Sequence, residues 1–365
     1  METREPLRIL IVDDSRIFRG QLELVLGEFP DVEIIGSVFS GEKALEFIEK
    51  TPPDLVTLDV QMPGIGGLET LRRIVARNQQ QKHLPPIDTI LVSALTRAGS
   101  MVAVEGLQLG AFDCICKPGE GDELTNREVL RKAMREKVAA LRLRRNDLRY
   151  RSRTASVPAG TFAPEKSRGK FSAIAIGAST GGPEALGILL PELLQRTAES
   201  AAPIFIVQHI LEGLSGYLAE SLTRKCGRPV MEVRDETPVL PGGIYLAQSG
   251  RHMLLRTTAG RLMLGQSDAP PEKGCRPSVD VFLRSAAACY GASLATVILT
   301  GMGDDGADGI RSVKRAGGYV IAQDESTSVV WGMPRAAAAT GLVDDVLPLS
   351  RIAETLQRLV GAGGR

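Results

Sequence analysis

Histidine and cysteine are scarce in this 365-residue chain: there are three histidines, His83, His209 and His252, and five cysteines without paired spacing. So few imidazoles weigh against a metalloenzyme and shorten the search for a general base. The odd cysteine count excludes a simple disulfide framework and fits reduced thiols. The closest pair, Cys114 and Cys116, alternates along an expected strand, so its side chains point to opposite faces and make a poor metal pair. Neither sign of charge dominates: the net charge of +1 provides no global attraction to nucleic acid or to a membrane. Long apolar runs are missing too, so neither a signal peptide nor a bilayer span is expected, and the expected location is the cytoplasm without direct membrane insertion. Hydrophobic content of 43% and charged content of 24% are those of a globular protein, and the length exceeds what one core usually supports.

Strand and helix alternate five times in the first third. LRILIVDD, VEIIGSV, PDLVTLDV, DTILVSA and FDCICKP read as short buried strands, separated by amphipathic stretches such as GEKALEFIEK and GLETLRRIVARN. Repeated βα units of this kind predict a parallel sheet with helices on both faces and ligands at the carboxyl ends of the strands. From residue 122 a helical pattern runs on, with eleven Lys or Arg against three Asp or Glu between residues 127 and 153. With Tyr150 as its one aromatic residue it lacks the aromatic interleaving of a nucleic-acid surface, so a solvated helix face leading into a connector is the expectation. TASVPAGTFAPEKSRGK then has the composition of a linker. The alternation restarts at Phe171 with SAIAIGA, PIFIVQH, ATVILTG and GYVIAQDE as strands, and the turn-rich segment from VMEV to LMLGQ predicts a small antiparallel insert. The predicted units are residues 1–125, a basic helical extension and linker over 126–170, and residues 171–365.

In the first unit Asp13 and Asp14 end one predicted strand and Asp59 another. Neighbouring strand ends would bring these carboxylates together, where they repel unless a hard cation such as Mg²⁺ shares them. A carboxylate beside Mg²⁺ can attack a phosphoryl group, and two further strand ends supply Ser93 and Lys117 to receive it. This set resembles the receiver domain of two-component response regulators. The resemblance implies Asp59 as phosphoacceptor, Asp13, Asp14 and Asp59 as the Mg²⁺ site, Ser93 as the switch hydroxyl and Lys117 as the phosphate-pairing lysine. Receivers usually carry an aromatic residue three positions before that lysine, where this chain has Cys114.

In the second unit IAIGASTGG places Ser179 in a G-x-S-x-G turn between a strand and a helix, where small neighbours expose the hydroxyl and a helix amino terminus offers N–H groups. Phosphate-binding turns also need glycines there, but the Walker lysine and the dinucleotide G-x-G-x-x-G are absent. His209 ends the next strand and is the better base candidate; His252 lies in the turn-rich insert. ATVILTGMGDDGADG offers an orienting acid, Asp304 or Asp305, at a third strand end. Serine, histidine and aspartate at successive strand ends suggest a hydrolytic triad, since triads are recognised by role rather than chain order.

GASTGG, VQH, CRPSVD, LTGMGDDGADG and GMPRAA, in this order behind a receiver, are similar to the chemotaxis protein-glutamate methylesterase family. That resemblance implies two doubly wound, mostly parallel α/β domains: a flavodoxin-like receiver, then a Rossmann-like catalytic domain. It implies Ser179 as nucleophile, His209 as general base and acid, and Asp305 as the orienting carboxylate, because the family's loop commonly reads GMGNDG. The backbone at Thr180 and Met302 would line the oxyanion site. The implied reaction is hydrolysis of glutamate γ-methyl esters, and deamidation of glutamines, on methyl-accepting chemoreceptors. A chemotaxis-type histidine kinase would donate the phosphoryl group; Mg²⁺ would serve the receiver, and the esterase chemistry would need no cofactor. The unphosphorylated receiver would block the triad until Asp59 is phosphorylated. The segment after the histidine, HILEGLS where the family often has HMPPGFT, is a departure at the substrate mouth. A transcription factor using the basic stretch and a hydrolase of small esters are the competing readings.

Overall fold

A computed structural model of the chain describes residues 5–94, 96–119, 122–151, 171–197 and 201–361. It divides into two compact units, Met1–Leu143 and Arg144–Arg365. The expected linker at 154–170 lies outside the described residues.

The first unit contains β1 (Leu7–Val12), α1 (Arg16–Gly27), β2 (Val32–Val38), α2 (Gly41–Lys50), β3 (Leu55–Asp59), α3 (Gly66–Gln80), β4 (Asp88–Ser93), α4 (Arg97–Gln108), β5 (Asp113–Cys116) and the start of α5 (Glu123–Arg151). All five strands are parallel, in the order β2-β1-β3-β4-β5. Ile9, Leu10, Ile11, Leu55, Val56 and Leu58 are fully buried, which is why these segments carry β-branched and leucine residues almost without alternation. The chain reverses direction across the sheet between β1 and β3, the switch point at which such sheets bind ligands. Leu130, Met134, Val138 and Leu141 on α5 are buried at helical spacing. The basic side chains around them have acidic partners: Lys137 reaches Asp113 at 2.7 Å, Arg142 reaches Asp31 at 2.8 Å, and Arg127 pairs with Glu28.

The second unit contains β6 (Ala173–Ala178), α6 (Gly182–Arg196), β7 (Ile204–Gln208), α7 (Ser215–Cys226), β8 (Val230–Val233), β9 (Thr237–Pro238), β10 (Ile244–Ala247), β11 (His252–Thr258), β12 (Arg261–Ser267), α8 (Val279–Tyr290), β13 (Leu294–Ile298), α9 (Gly309–Arg315), β14 (Tyr319–Gln323), α10 (Met333–Ala339), β15 (Asp345–Leu347) and α11 (Leu349–Val360). Seven strands form one parallel sheet in the order β15-β14-β13-β6-β7-β10-β8. The insert expected between VMEV and LMLGQ is smaller than its sequence suggested. VMEV and IYLA extend the parallel sheet as β8 and β10, and only β9, β11 and β12 form a separate antiparallel sheet. Their burial differs accordingly: every residue of β10 is buried, whereas the last three residues of β11, Arg256, Thr257 and Thr258, are exposed. Phe205 on β7 stacks on Tyr245 of β10 at 5.6 Å and meets Phe282 of α8 at 5.5 Å, tying sheet to helix layer.

Candidate active site and phosphoacceptor site

Ser179 follows β6 directly, at the centre of the seven-stranded sheet, with β13 on one side and β7 on the other. Its N–H donates to the carbonyl of Thr300 at 3.0 Å, so the loop after β13 lies against it. Gly301 is the reason it fits: a Cβ there would stand 2.7 Å from Ser179 Cβ and 3.0 Å from its nitrogen. Gly181, at φ +78°, starts α6 in a conformation that side chains resist, and so lets the chain turn sharply from strand to helix. The Gly301 backbone thus lies against the serine, with Met302 the next residue along that loop and Thr180 the next along the serine's own chain. Thr180 also has its carbonyl held by Thr300 Oγ1 at 2.9 Å.

His209 follows β7. Ala178 and Gln208 are partners in the β6–β7 register, and the His209 N–H donates to the Ala178 carbonyl at 2.9 Å, so histidine and serine leave adjacent strands side by side. The ring presents Nε2 to Asp305 Oδ2 at 2.8 Å, so Nδ1 is the nitrogen on the side away from that carboxylate. The serine hydroxyl itself makes no hydrogen bond among the described residues. Such contacts often close only when substrate is bound.

Asp305 is 2% exposed and held from four directions. Its Oδ1 accepts from Ser278 Oγ at 2.9 Å and from the Asp280 N–H at 3.0 Å; its Oδ2 accepts from the Val279 N–H at 2.7 Å and from His209. These donors are the first turn of α8, whose amino terminus favours a buried anion. Burial alone would push the Asp305 carboxyl up, but the His209 ring and the α8 N–H groups outweigh it and hold its pKa at about 2. Burial likewise disfavours the imidazolium, yet Asp305, and then the neighbouring Cys275 thiol, hold the His209 pKa up at about 9. Asp304, the alternative acid, points outward to Lys273 with 63% of its side chain exposed. His252 is buried behind the site: its Nδ1 accepts from the Ser278 N–H at 3.2 Å and its Nε2 faces the Pro270 carbonyl at 3.1 Å.

Sequence reasoning left three positioning residues unread. Gln208 is buried, and its Nε2 donates to the backbone carbonyls of both Ser179 and His209 at 2.8 Å, fixing the two strand ends together. Ser278 caps α8 and also holds Asp305. Asp280, fully buried, accepts from the Gly306 and Gly309 N–H groups at 2.9 and 2.5 Å and pairs with Lys273 at 2.9 Å, which pins the loop carrying Asp305. The signal was present in VQH and CRPSVD: polar residues closing or opening otherwise apolar elements.

In the first unit Val12 and Leu58 are register partners, so Asp13 and Asp59, one residue further on, emerge side by side. Both are buried, whereas Asp14 is exposed, and a carboxylate oxygen of each of the three lies within 4.8 Å of the others. Lys117 Nζ bridges Asp13 at 2.7 Å and Asp59 at 2.9 Å and lies over the Phe18 ring at 4.9 Å. Burial raises the Asp59 pKa; Lys117 opposes that shift and Asp13 adds to it. Burial works against charge on Lys117 as well, but the two carboxylates outweigh it and raise its pKa. The Ser93 hydroxyl donates to the Ala94 carbonyl at 3.1 Å, one strand from Asp59. Cys114 is buried on β5, where burial pushes its thiol up.

Comparison with known proteins agrees with both halves. Residues 174–356 match the CheB methylesterase family and residues 9–128 the response regulator receiver domain family. A protein-glutamate methylesterase/protein-glutamine glutaminase of Trichodesmium erythraeum is 39% identical over 360 residues, 97% of this chain and 99% of that one. Its counterpart in Bordetella pertussis is 38% identical over 366 residues, 98% of each chain. Among solved structures, the CheB methylesterase catalytic domain of Thermotoga maritima superposes with a TM-score of 0.50 at 38% identity, covering 52% of this chain and 99% of that one. With a receiver ahead of a domain whose strand ends carry Ser179, His209 and Asp305, this chain belongs to the CheB protein-glutamate methylesterase/protein-glutamine glutaminase family.

Proposed function

We propose that the chain hydrolyses glutamate γ-methyl esters on the helices of methyl-accepting chemoreceptors, and deamidates glutamines there, under control of phosphorylation at Asp59. The observation that carries the catalytic half is the buried Asp305 holding His209 at 2.8 Å, with His209 leaving the strand beside Ser179. His209 Nδ1 takes the Ser179 proton as Oγ bonds to the ester carbonyl carbon. The oxyanion that forms is met by backbone N–H groups at Thr180 and Met302. Collapse breaks the bond to the methoxy oxygen, which leaves as methanol with the proton from His209. Water, deprotonated by the same imidazole, then cleaves the glutamyl ester on Ser179 and restores the hydroxyl. With a glutamine substrate the leaving group is ammonia.

In the receiver half, Asp59 is the phosphoacceptor and Asp13, Asp14 and Asp59 would hold Mg²⁺. The donor set fits a hard cation: three carboxylates with oxygens inside 4.8 Å, two of them buried. When bound, the ion would offset the charge gathering on the phosphoryl oxygens. Lys117, already between Asp13 and Asp59, is placed to pair with the phosphoryl group, and Ser93 to hydrogen-bond it. The donor would be a chemotaxis-type histidine kinase or a small phosphodonor. Of the competing readings, DNA binding loses support from the partners that Lys137, Arg142 and Arg127 already have.

The test is methanol release from methylated receptor membranes, with and without a small phosphodonor and Mg²⁺. Release is expected to vanish in Ser179→Ala and to rise with phosphodonor only when Asp59 is present. Fast hydrolysis of simple esters with no effect of Asp59→Ala would favour the small-ester reading instead.

A further inference from the structure

The two units each hold a cluster of three possible metal ligands, and the two clusters differ in kind. Asp13, Asp14 and Asp59 offer only carboxylate oxygens. His209, Cys275 and Asp305 offer a nitrogen, a sulfur and an oxygen, also within 4.8 Å of one another. Hard oxygen sets suit Mg²⁺, whereas imidazole with thiolate selects Zn²⁺ and its neighbours.

Cys275 is not placed there by a mobile tail. It closes a turn in which the Glu272 and Cys275 backbones exchange hydrogen bonds of 3.1 and 2.9 Å, three residues before Ser278, which anchors Asp305. Its thiol makes only a long contact of 3.8 Å to the Lys273 carbonyl and lies beside His209 and Asp305. Asp305 is fixed by the first turn of α8, and His209 by its backbone bond to Ala178. His209 and Cys275 are part-exposed, so an ion has a way in.

We propose that His209, Cys275 and Asp305 form a binding site for Zn²⁺, and that filling it stops ester hydrolysis. Three protein ligands leave one position of a tetrahedral ion to water. The ion would take Nε2, the nitrogen that faces Asp305 at 2.8 Å, so the ring loses its pairing with Asp305 and, bound to a cation, becomes a much weaker base at Nδ1. This second half rests on the reading of His209 as the base; the binding half does not. Metal binding of this kind releases protons from its ligands, so it strengthens as pH rises.

The test uses the full chain, stripped of metal and then given excess Mg²⁺ to occupy the carboxylate cluster. Co²⁺ is titrated in as a coloured stand-in for Zn²⁺. Wild type is expected to develop a thiolate-to-cobalt charge-transfer band at one equivalent, which Zn²⁺ abolishes by displacement. Cys275→Ser should lose the band and bind Zn²⁺ at least about tenfold more weakly; Cys226→Ser and Cys289→Ser should keep the band. The ratio of methanol release with and without Zn²⁺ should fall sharply in wild type, recover with a chelator, and fall far less in Cys275→Ser. No band in wild type, a band that survives Cys275→Ser, or equal Zn²⁺ sensitivity in the two proteins would overturn the proposal. A Cys275-dependent band in a protein that releases no methanol even when metal-free would instead overturn the esterase reading and leave the metal site standing.

Discussion

At the scale of single residues, the site is governed by how burial is compensated. Asp305 is buried and His209 largely so, and each keeps its charge chiefly because the other is 2.8 Å away, with the α8 N–H groups adding to the hold on Asp305. A base must be neutral to accept a proton, and a pKa of about 9 leaves His209 mostly protonated at neutral pH. The rate of hydrolysis is therefore expected to climb with pH and level off above about 9, as a pH profile of kcat/KM would show. Asp305→Asn removes the charge that favours the imidazolium, so the midpoint should move to lower pH while the plateau drops by about 10²–10⁴-fold. A profile flat between neutral pH and 9 would contradict this account of the base. In the receiver, Lys117 separates two buried carboxylates. Lys117→Ala should lower Tm, and added Mg²⁺ should raise the Tm of this variant more than that of wild type, because the ion then supplies the missing positive charge.

At the scale of elements, the site depends on three strand ends and one helix start being held in register. The loop after β13 touches Ser179 through a glycine with no room for a side chain, since Met333 Sδ also crowds that position. Gly301→Ala is expected to cost about 1–3 kcal/mol in denaturant unfolding, and to reduce methanol release beyond what lost stability explains. Ser278→Ala removes both the α8 cap and one bond to Asp305. It should cost about 1 kcal/mol, with a larger proportional loss in kcat than in KM. The elements themselves were legible in sequence: LRILIV, PDLVTL, AIAIGA and IFIVQ are all strands where their apolar runs predicted them. VMEV and IYLA were not read correctly, because strands of only four residues do not reveal which sheet they join. Partner choice there was decided by β7, whose Ile204 lies opposite Ile244.

At the scale of the whole molecule, each unit has its own parallel sheet and its own buried core. Residues 171–365 contain the complete seven-stranded sheet together with Ser179, His209 and Asp305. Expressed alone, this segment is expected to fold and to release methanol in a Ser179-dependent way, with no response to phosphodonor. If full-length protein and segment responded alike to phosphodonor, control through Asp59 would be wrong. No helix among the described residues is long and apolar enough to cross a membrane.

The sequence by itself determined the two-unit α/β architecture and the chemistry-bearing residues at the strand ends. Both follow from local patterns: apolar runs, glycine turns, and polar residues where those runs stop. Local pattern alone left Asp304 and Asp305 open and the family resemblance pointed to Asp305; the tertiary structure gives the physical reason, because Asp305 faces α8 while Asp304 points outward. It also decided that Gln208, Ser278 and Asp280 support the site and that His252 stands behind it. Above all it brought Cys275 beside His209 and Asp305, residues 66 and 30 positions away in the chain. Contacts made across such separations are set by packing of the sheet and helices, which no local pattern records.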